Sequence, residues 1–169
     1  MTDVAAADRV LEQVKQKFGF VPNVLAEMSK SPAALRVYVE GGVALADASL
    51  SPKEQQAVQL TVSTVNECAY CQAAHSMGGK MAGIDPADIE AIKSGGLPAD
   101  EGLKGAVSAA RLVHEKQGWL DADDLSALEA QGIDRRRLYD VIAITGLKLI
   151  SNYVNHIAHT DIDEQFKAA

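Results

Sequence analysis

Three short sequences in this chain pair a helix-capping side chain with a proline, and they constrain the fold more than any other feature. Ser31-Pro32, Ser51-Pro52 and Asp85-Pro86 share this arrangement. A Ser or Asp side chain can accept a hydrogen bond from the free N–H groups of a first helical turn, and proline fits the first position of that turn. Each pair therefore predicts the start of an α-helix.

The stretches between these starts carry apolar residues at helical spacing. The longest one lies near the C-terminus and contains Leu138, Val141, Ile142, Thr145, Leu149, Val154 and Ile157. Asp121 and Asp134 are two further expected N-caps, and Gly83, Gly95 and Gly132 stand where helices commonly end. Alternating polar and apolar segments, which are typical of strands, are missing. We therefore expect an all-α fold of about seven to nine helices.

Length and composition fit one domain and argue against several functional classes. The 169 residues are enough for one core, so we predict a single domain over residues 1–169. A formal net charge of −7 argues against nucleic acid and anionic membranes as partners. The first ten residues lack the basic and apolar regions of a signal peptide, so we expect a cytoplasmic protein with reduced cysteines.

The only two cysteines form a Cys-x-x-Cys pair, Cys68 and Cys71, with His75 four positions after the second. At about 100° per residue, a helix brings these three side chains onto one narrow face. His75 would then neighbour Cys71 closely enough to take its proton. A thiolate beside a second thiol can be oxidised to a sulfenic acid and captured as a disulfide, which is the chemistry of a thiol peroxidase.

The segment before the first cysteine predicts a break in the helix. A run rich in β-branched residues ends at Asn66, a common turn former. A turn at Asn66–Glu67 would create an αα-hairpin, start a new helix at Cys68 and bring Gln56 opposite His75. In an unbroken helix, Gln56 would instead lie about 18 Å from Cys68. Gln56 is therefore a candidate site residue only if the hairpin forms.

The stretch LSPKEQQAVQLTVSTVNECAYCQAAH, residues 50–75, resembles the core motif of the carboxymuconolactone decarboxylase superfamily in its AhpD-like alkylhydroperoxidase branch. The stretches FGFVPNVLAEMSKSP and NYVNHIAHTDID resemble peroxidase-related members of that branch. The likeness extends roughly from Phe18 to Asp163, with the core motif region at about 50–82. It implies an AhpD-like all-α fold and subunits that associate into trimers or hexamers. It also implies peroxide reduction by a cysteine pair with a Glu–His proton relay.

Under this resemblance Cys71 forms the sulfenic acid, Cys68 resolves it into a disulfide, and His75 belongs to the relay. The family's relay glutamate falls at Gln56, whose amide can hold a histidine but cannot accept its proton. Tyr70 stands where the best-studied branch has a second histidine. We expect hydroperoxide substrates and an external dithiol of thioredoxin-like or lipoyl type as reductant. No cofactor or metal is predicted.

Several alternatives remain open at this point. One is decarboxylation of a γ-lactone acid, the reaction that names the superfamily, although it has no obvious need for a dithiol. Another is a helical oligomer with weak redox activity, because Gln56 replaces the relay glutamate. The cysteines could also be inert buried thiols, or could bind zinc with His75 and a fourth ligand such as His156 or His159.

Two conspicuous residues outside the cysteine motif have structural explanations. Glu54 lies three positions after Ser51 and completes a capping box. The capping box accounts for a glutamate at this position, so we assign Glu54 no role in the site. Trp119, in the stretch KQGWLDADD, is expected to anchor a loop on the core.

Overall fold

The computed structural model describes residues 3–167, and these residues form an all-α fold without strands. One turn of 3₁₀-helix, Leu45–Asp47, follows the third helix. The ten α-helices are α1 Asp3–Phe18, α2 Asn23–Met28, α3 Pro32–Ala44, α4 Pro52–Val65, α5 Ala69–Met81, α6 Pro86–Lys93, α7 Glu101–Glu115, α8 Ala122–Ala130, α9 Arg135–Ala158 and α10 Glu164–Lys167. The all-α prediction is confirmed. The number of helices exceeds the expected seven to nine because α2 and α10, with six and four residues, are too short to leave a periodic pattern.

The predicted helix starts are N-caps in the structure. Each of these side chains accepts a hydrogen bond from a backbone N–H of the first turn: Ser31 in α3, Ser51 in α4, Asp85 in α6, Asp121 in α8 and Asp134 in α9. The capping box also forms, because the Glu54 carboxylate accepts from the backbone N–H of Ser51 at 2.9 Å. Glu54 pairs in addition with Arg137 of α9, which fixes the start of α4 against that helix.

The core is built around α4, which packs against α5, α6, α7 and α9. One apolar cluster joins α4 to α7, α8 and α9 through side chains such as Val58, Val113 and Val141. A second cluster lies under α1, α2, α3 and α10 and contains both cysteines. Each fully buried Val or Leu stabilises such a core by about 1.5–3 kcal/mol. The cysteine pair therefore lies inside the protein, beneath its N-terminal helices.

The break ahead of the first cysteine is present. α4 ends at Val65, Glu67 adopts the left-handed conformation with φ of 55°, and Cys68 is the N-cap of α5. The backbone N–H of Cys68 donates to the carbonyl oxygen of Ser63 at 2.9 Å, which closes the turn. The α4–α5 hairpin predicted from Asn66 and Glu67 is confirmed.

The loop between α7 and α8 differs from its prediction. Trp119 is 85 % exposed, so the expectation that it anchors this loop on the core is wrong. Its neighbour Leu120 packs against the core instead, and Gln117 and Gly118 close the turn with φ of 52° and 81°. The loop is thus held by its backbone and a smaller apolar side chain. Across residues 3–167, no helix combines the length and apolar character that a bilayer crossing requires.

Candidate active site

Both sulfur atoms lie at the N-terminal end of α5, where the hairpin delivers them to the inner side of α9. Cys68 and Cys71 are each 2 % exposed, and both are free thiols. The Asn155 amide nitrogen of α9 lies 3.2 Å from Cys71 Sγ and 3.8 Å from Cys68 Sγ, so one amide donates towards both sulfurs. The hydroxyl oxygen of Ser151 lies 3.8 Å from Cys71 Sγ.

The two thiols share one negative charge, and it resides on Cys71. A hydrogen bond from Cys68 lowers the pKa of Cys71 to about 5, with help from the positive charge of Lys148 and against the effect of burial. The same interaction, together with burial, raises the pKa of Cys68 far above its usual value. At neutral pH the pair is therefore one thiolate beside one protonated thiol.

A buried lysine supplies the positive charge of the site. Lys148 of α9 is 2 % exposed, and its Nζ lies 2.6 Å from His75 Nε2 and 3.0 Å from the hydroxyl oxygen of Tyr38. None of the ion pairs among the described residues joins Lys148 to a carboxylate. Burial acts to lower the pKa of Lys148, but Tyr38 and the Cys71 thiolate outweigh it and raise that pKa. The thiolate is thus the anion that balances Lys148.

Both ring nitrogens of His75 are engaged. Nδ1 lies 3.0 Å from the Gln56 amide oxygen, which can only accept, so we assign the ring proton to Nδ1. Nε2 then accepts from the Lys148 ammonium. Desolvation of the ring, followed by the charge of Lys148, lowers the pKa of His75 well below its usual value, so the imidazole is neutral.

The structure brings together all four residues proposed from the sequence, in an arrangement that differs in one respect. Gln56 meets His75, as the hairpin prediction required. Within residues 3–167, however, the two hydrogen bonds of His75 go to Gln56 and Lys148, and neither sulfur receives one. The contact through which His75 would take a proton directly from Cys71 is not made. Lys148 occupies the place next to the imidazole.

A glycine of α5 makes room for the Gln56 side chain. A methyl group placed on Gly78 would lie 2.5 Å from the Gln56 amide oxygen, which is far inside contact distance. Any larger side chain there would push the amide away from His75. The hydrogen bond between α4 and α5 therefore depends on this position having no side chain.

Tyr70, which lies between the cysteines, connects three parts of the chain. Its hydroxyl donates to the Asp163 carboxylate at 2.5 Å and accepts from the backbone N–H of Val24 at 3.3 Å. Asp163 also accepts from the backbone N–H of Asn23 at 3.2 Å. Burial and the Asp163 carboxylate raise the pKa of Tyr70, so it remains a hydrogen-bond donor. These contacts fasten α2 and the segment before α10 over the sulfurs.

The open space of the site lies next to the sulfurs. A cleft of about 700 Å³ is lined by the two residues between the cysteines, Ala69 and Tyr70, by Asn23, by residues 160–165 and by Lys167. Neither cysteine is among the lining residues of the cleft. It therefore adjoins the reactive pair and does not contain it.

No set of zinc ligands supports the zinc alternative among the described residues. His156 and His159 are exposed at the end of α9. Over the part of the chain that the structure describes, no group of three His, Cys, Asp or Glu side chains is placed to hold a metal ion. Glu67 cannot replace the missing relay carboxylate either, because its side chain is exposed at the turn.

Sequence reasoning missed the contribution of α9. Lys148, Ser151, Asn152 and Asn155 recur at positions i, i+3, i+4 and i+7, which places them on one face of the helix. All four are buried, although the helix around them is largely apolar. A polar stripe at helical spacing in such a helix was the signal available from the sequence. Lys148 also interrupts the apolar stretch from Val141 to Ile150, which by itself does not indicate a role in the site.

Comparison with known proteins identifies the family of this chain. The family model described as "Carboxymuconolactone decarboxylase family" matches residues 30–114. This chain belongs to the carboxymuconolactone decarboxylase family. The match contains Gln56, both cysteines and His75, whereas Lys148 and Asn155 lie beyond its end. A search of curated proteins gives no match.

Solved structures share the AhpD-like fold. An uncharacterized peroxidase-related protein from Silicibacter sp. TM1040 has a TM-score of 0.80 at 21 % identity, over 94 % of this chain and 85 % of that one. An AhpD-core, uncharacterized peroxidase-related protein from Ralstonia eutropha JMP134 has a TM-score of 0.77 at 24 % identity, over 94 % of this chain and 87 % of that one. The debrominase Bmp8 has a TM-score of 0.76 at 17 % identity, over 96 % of this chain and 88 % of that one. At these identities the likeness shows the fold alone.

Proposed function

We propose that this member of the carboxymuconolactone decarboxylase family is a thiol-dependent peroxidase that reduces hydroperoxides through Cys71 and Cys68. The observation that carries the proposal is a pair of buried free thiols that share the Asn155 amide donor, in surroundings that lower the pKa of Cys71 to about 5 and raise the pKa of Cys68. The thiolate is the nucleophilic form of cysteine, and a neighbouring thiol is what captures a sulfenic acid. Inert buried thiols would have raised pKa values at both positions.

In the proposed reaction, the Cys71 thiolate attacks one oxygen of the hydroperoxide. The O–O bond breaks, an S–O bond forms, and the alkoxide leaves and takes up a proton to become an alcohol. Cys68 then attacks the sulfenic sulfur of Cys71, and hydroxide leaves with the proton of Cys68 as water. Asn155 donates towards both sulfurs, so it holds them together for this second step.

The glutamine at position 56 is compatible with this reaction. In a carboxylate–histidine relay, the general base generates the thiolate, and such assistance is typically worth about 10²–10⁴-fold in rate. Here Cys68 and Lys148 already favour the thiolate, so the step that needs the base is complete before the peroxide arrives. Gln56 serves to hold His75 in its Nδ1-protonated form.

An external dithiol completes the proposed cycle. It would attack the Cys68–Cys71 disulfide and leave both cysteines reduced, as expected for a thioredoxin-like or lipoyl reductant. A cleft in the surface is lined by Ala69 and Tyr70, the two residues between the cysteines, and it supports an approach of the reductant from that side.

The proposal is tested by mixing the reduced protein with hydrogen peroxide or an organic hydroperoxide in a stopped-flow instrument and counting thiols before and after. One equivalent of peroxide should convert two thiols into one disulfide. Cys71→Ser should abolish the reaction, whereas Cys68→Ser should react once and leave a sulfenic acid that dimedone traps. Thiols that survive excess peroxide would contradict the proposal. Turnover of a γ-lactone acid by the Cys68→Ser, Cys71→Ser double variant would favour decarboxylation.

A second candidate, reductive dehalogenation, requires the same pair of thiols. The debrominase Bmp8 shares the fold, and a cysteine-to-alanine variant of it has been crystallised with 2,3,4-tribromopyrrole. In such a reaction the thiolate takes the bromine, the ring takes a proton, and the second thiol displaces bromide to give a disulfide. Bromide release from 2,3,4-tribromopyrrole, measured alongside peroxide consumption, separates the two activities.

We also propose that the chain forms a homo-oligomer, a trimer or hexamer, through the outer face of α9. This face carries residues three or four positions apart: Tyr139, Ile142, Gly146, Leu149, Tyr153 and Ile157. The four large side chains Tyr139, Ile142, Tyr153 and Ile157 are 42–84 % exposed. Such spacing over about 27 Å of helix is typical of a face that packs on another helix, and a second copy of the chain offers a matching one.

A further inference from the structure

The charge balance around Lys148 depends on the redox state of the cysteines. In the reduced protein, the Cys71 thiolate offsets the buried ammonium. A Cys68–Cys71 disulfide carries no charge, and none of the ion pairs among residues 3–167 joins Lys148 to a carboxylate. An ammonium buried without a counter-ion is strongly unfavourable, and buried lysines in that situation titrate with pKa values as low as about 5–6.

We propose that Lys148 is a redox-linked proton site, which holds a proton while Cys71 is a thiolate and releases it through His75 when the disulfide forms. The inference rests on the proposed dithiol chemistry, but it does not depend on a hydroperoxide being the oxidant. Lys148 and His75 would together take the place of the carboxylate–histidine relay.

The groups that face Lys148 allow this release. Its Nζ lies within hydrogen-bond distance of the Tyr38 hydroxyl of α3 and of the His75 ring of α5, and the charges of the two cysteines act on it. From α4 the group behind His75 is the neutral amide of Gln56, which cannot hold an imidazolium as a carboxylate would. His75 Nε2 lies 2.6 Å from Nζ and is the acceptor for the proton. His75 is only partly buried, whereas Lys148 is 2 % exposed, so the imidazole is the more exposed of the two bases.

The protons of the cycle balance with this assignment. Reduction of a hydroperoxide to an alcohol and water consumes two electrons, which come from the two sulfurs, and two protons. The proton of Cys68 leaves with hydroxide as water. The proton of Lys148 neutralises the alkoxide, and the lysine is left as a neutral amine beside the uncharged disulfide. Reduction by an external dithiol returns one proton to Cys68 and one to Lys148.

The test is the pH dependence of the redox equilibrium between the protein and glutathione, with no peroxide present. Reduction of glutathione disulfide takes up two protons below the pKa of its thiols, which is about 8.5 for a free thiol. If reduction of the protein also takes up two, the equilibrium constant stays level between pH 6 and 7.5. If Lys148 keeps its proton in the oxidised protein, only Cys68 takes one up, and the constant changes tenfold per pH unit.

We expect a change of less than twofold per pH unit, while the absorbance of the reduced protein at 240 nm shows a thiolate throughout. A tenfold change per unit would overturn the proposal, as would the absence of a thiolate. Because glutathione replaces the peroxide, a protein that fails as a peroxidase still gives a decisive result here. Failure to form a disulfide with excess oxidised glutathione would overturn this proposal and the proposed function together.

Two substitutions separate the charge of Lys148 from its proton. Lys148→Arg keeps a cation that does not deprotonate, so the thiolate should persist while the tenfold dependence per pH unit appears. Lys148→Met removes the cation, so the pKa of Cys71 should rise and reduction at pH 7 should become at least tenfold less favourable. Lys80→Met, at an exposed position of α5, is the matched control and should behave as the wild type. An equilibrium constant that stays level with pH in a folded Lys148→Arg variant would contradict the proposal. If that variant does not fold, the wild-type measurement alone tests the proposal.

Discussion

At the scale of single residues, the reactivity of the site depends on the asymmetry between its two cysteines. Cys71 receives the amide of Asn155 at the shorter distance and the charge of Lys148, whereas Cys68 gives its hydrogen to its neighbour. Because Cys68 keeps its proton and donates it in this hydrogen bond, the negative charge stays on the sulfur of Cys71. The assignment of Cys71 as the attacking residue, which the family resemblance implied, thus gains independent support from charge.

The first prediction concerns the ionisation of Cys71. Because its pKa is lowered to about 5, the thiolate should be present above that pH and be lost as the pH falls through it. The absorbance at 240 nm of the reduced protein should therefore rise between about pH 4 and 6 and then level off. Cys68→Ala removes the hydrogen-bond donor and should move the midpoint to higher pH. A wild-type midpoint near 8.5, the value of a free thiol, would contradict the site as described.

At the scale of elements, the site is a meeting of one hairpin and one long helix. The hairpin could be predicted from sequence because its signals are local: the capping box at Ser51, the turn at Asn66 and the spacing from Cys68 to His75. The contribution of α9 could not, because Lys148 lies 73 positions from its partner His75. Helical periodicity shows which residues share a face of α9, but not which helix that face meets. That information exists only once the chain is packed.

The contact between the two arms of the hairpin gives the second prediction. Gly78→Ala should lower the free energy of unfolding by up to about 1 kcal/mol, because the methyl group would push the Gln56 amide away from His75, and the loss of that hydrogen bond would outweigh the gain of alanine in a helix. Gly42→Ala is the matched control in α3, where a methyl group meets no atom within 4 Å. It should stabilise the protein by about 0.5–1 kcal/mol, since glycine is unfavourable inside a helix. Urea denaturation measures both, and equal effects would show that Gln56 does not approach α5 closely.

At the scale of the whole molecule, α9 presents two faces of different character. The inner face presents Lys148 and Asn155 to the cysteines, and the outer face carries the exposed apolar residues from Tyr139 to Ile157. The sequence predicted an oligomer only through family resemblance, because an apolar residue of a helix has the same appearance whether it is buried in a core or lies at an interface.

The third prediction concerns that outer face. The wild type should have a mass of at least three times its 17.9 kDa in size-exclusion chromatography with light scattering. A double variant, Ile142→Asp with Tyr153→Asp, should shift to the monomer mass because charges would be buried in the contact. Trp119→Asp is the control, since it places a carboxylate at an aromatic position that is 85 % exposed in the loop between α7 and α8, outside α9. A monomeric wild type at micromolar concentration would show that this face stays open.

The family match ends at residue 114, before α9 begins. A fragment cut at that boundary would keep both sulfurs, the imidazole and the amide of the hairpin. It would lack the ammonium, the shared amide donor and the carboxylate that ties down the tyrosine between the sulfurs. Such a fragment would keep the hydrogen bond between the two thiols but lose the charge and the amide that α9 supplies, so the motif alone does not specify the reactive pair.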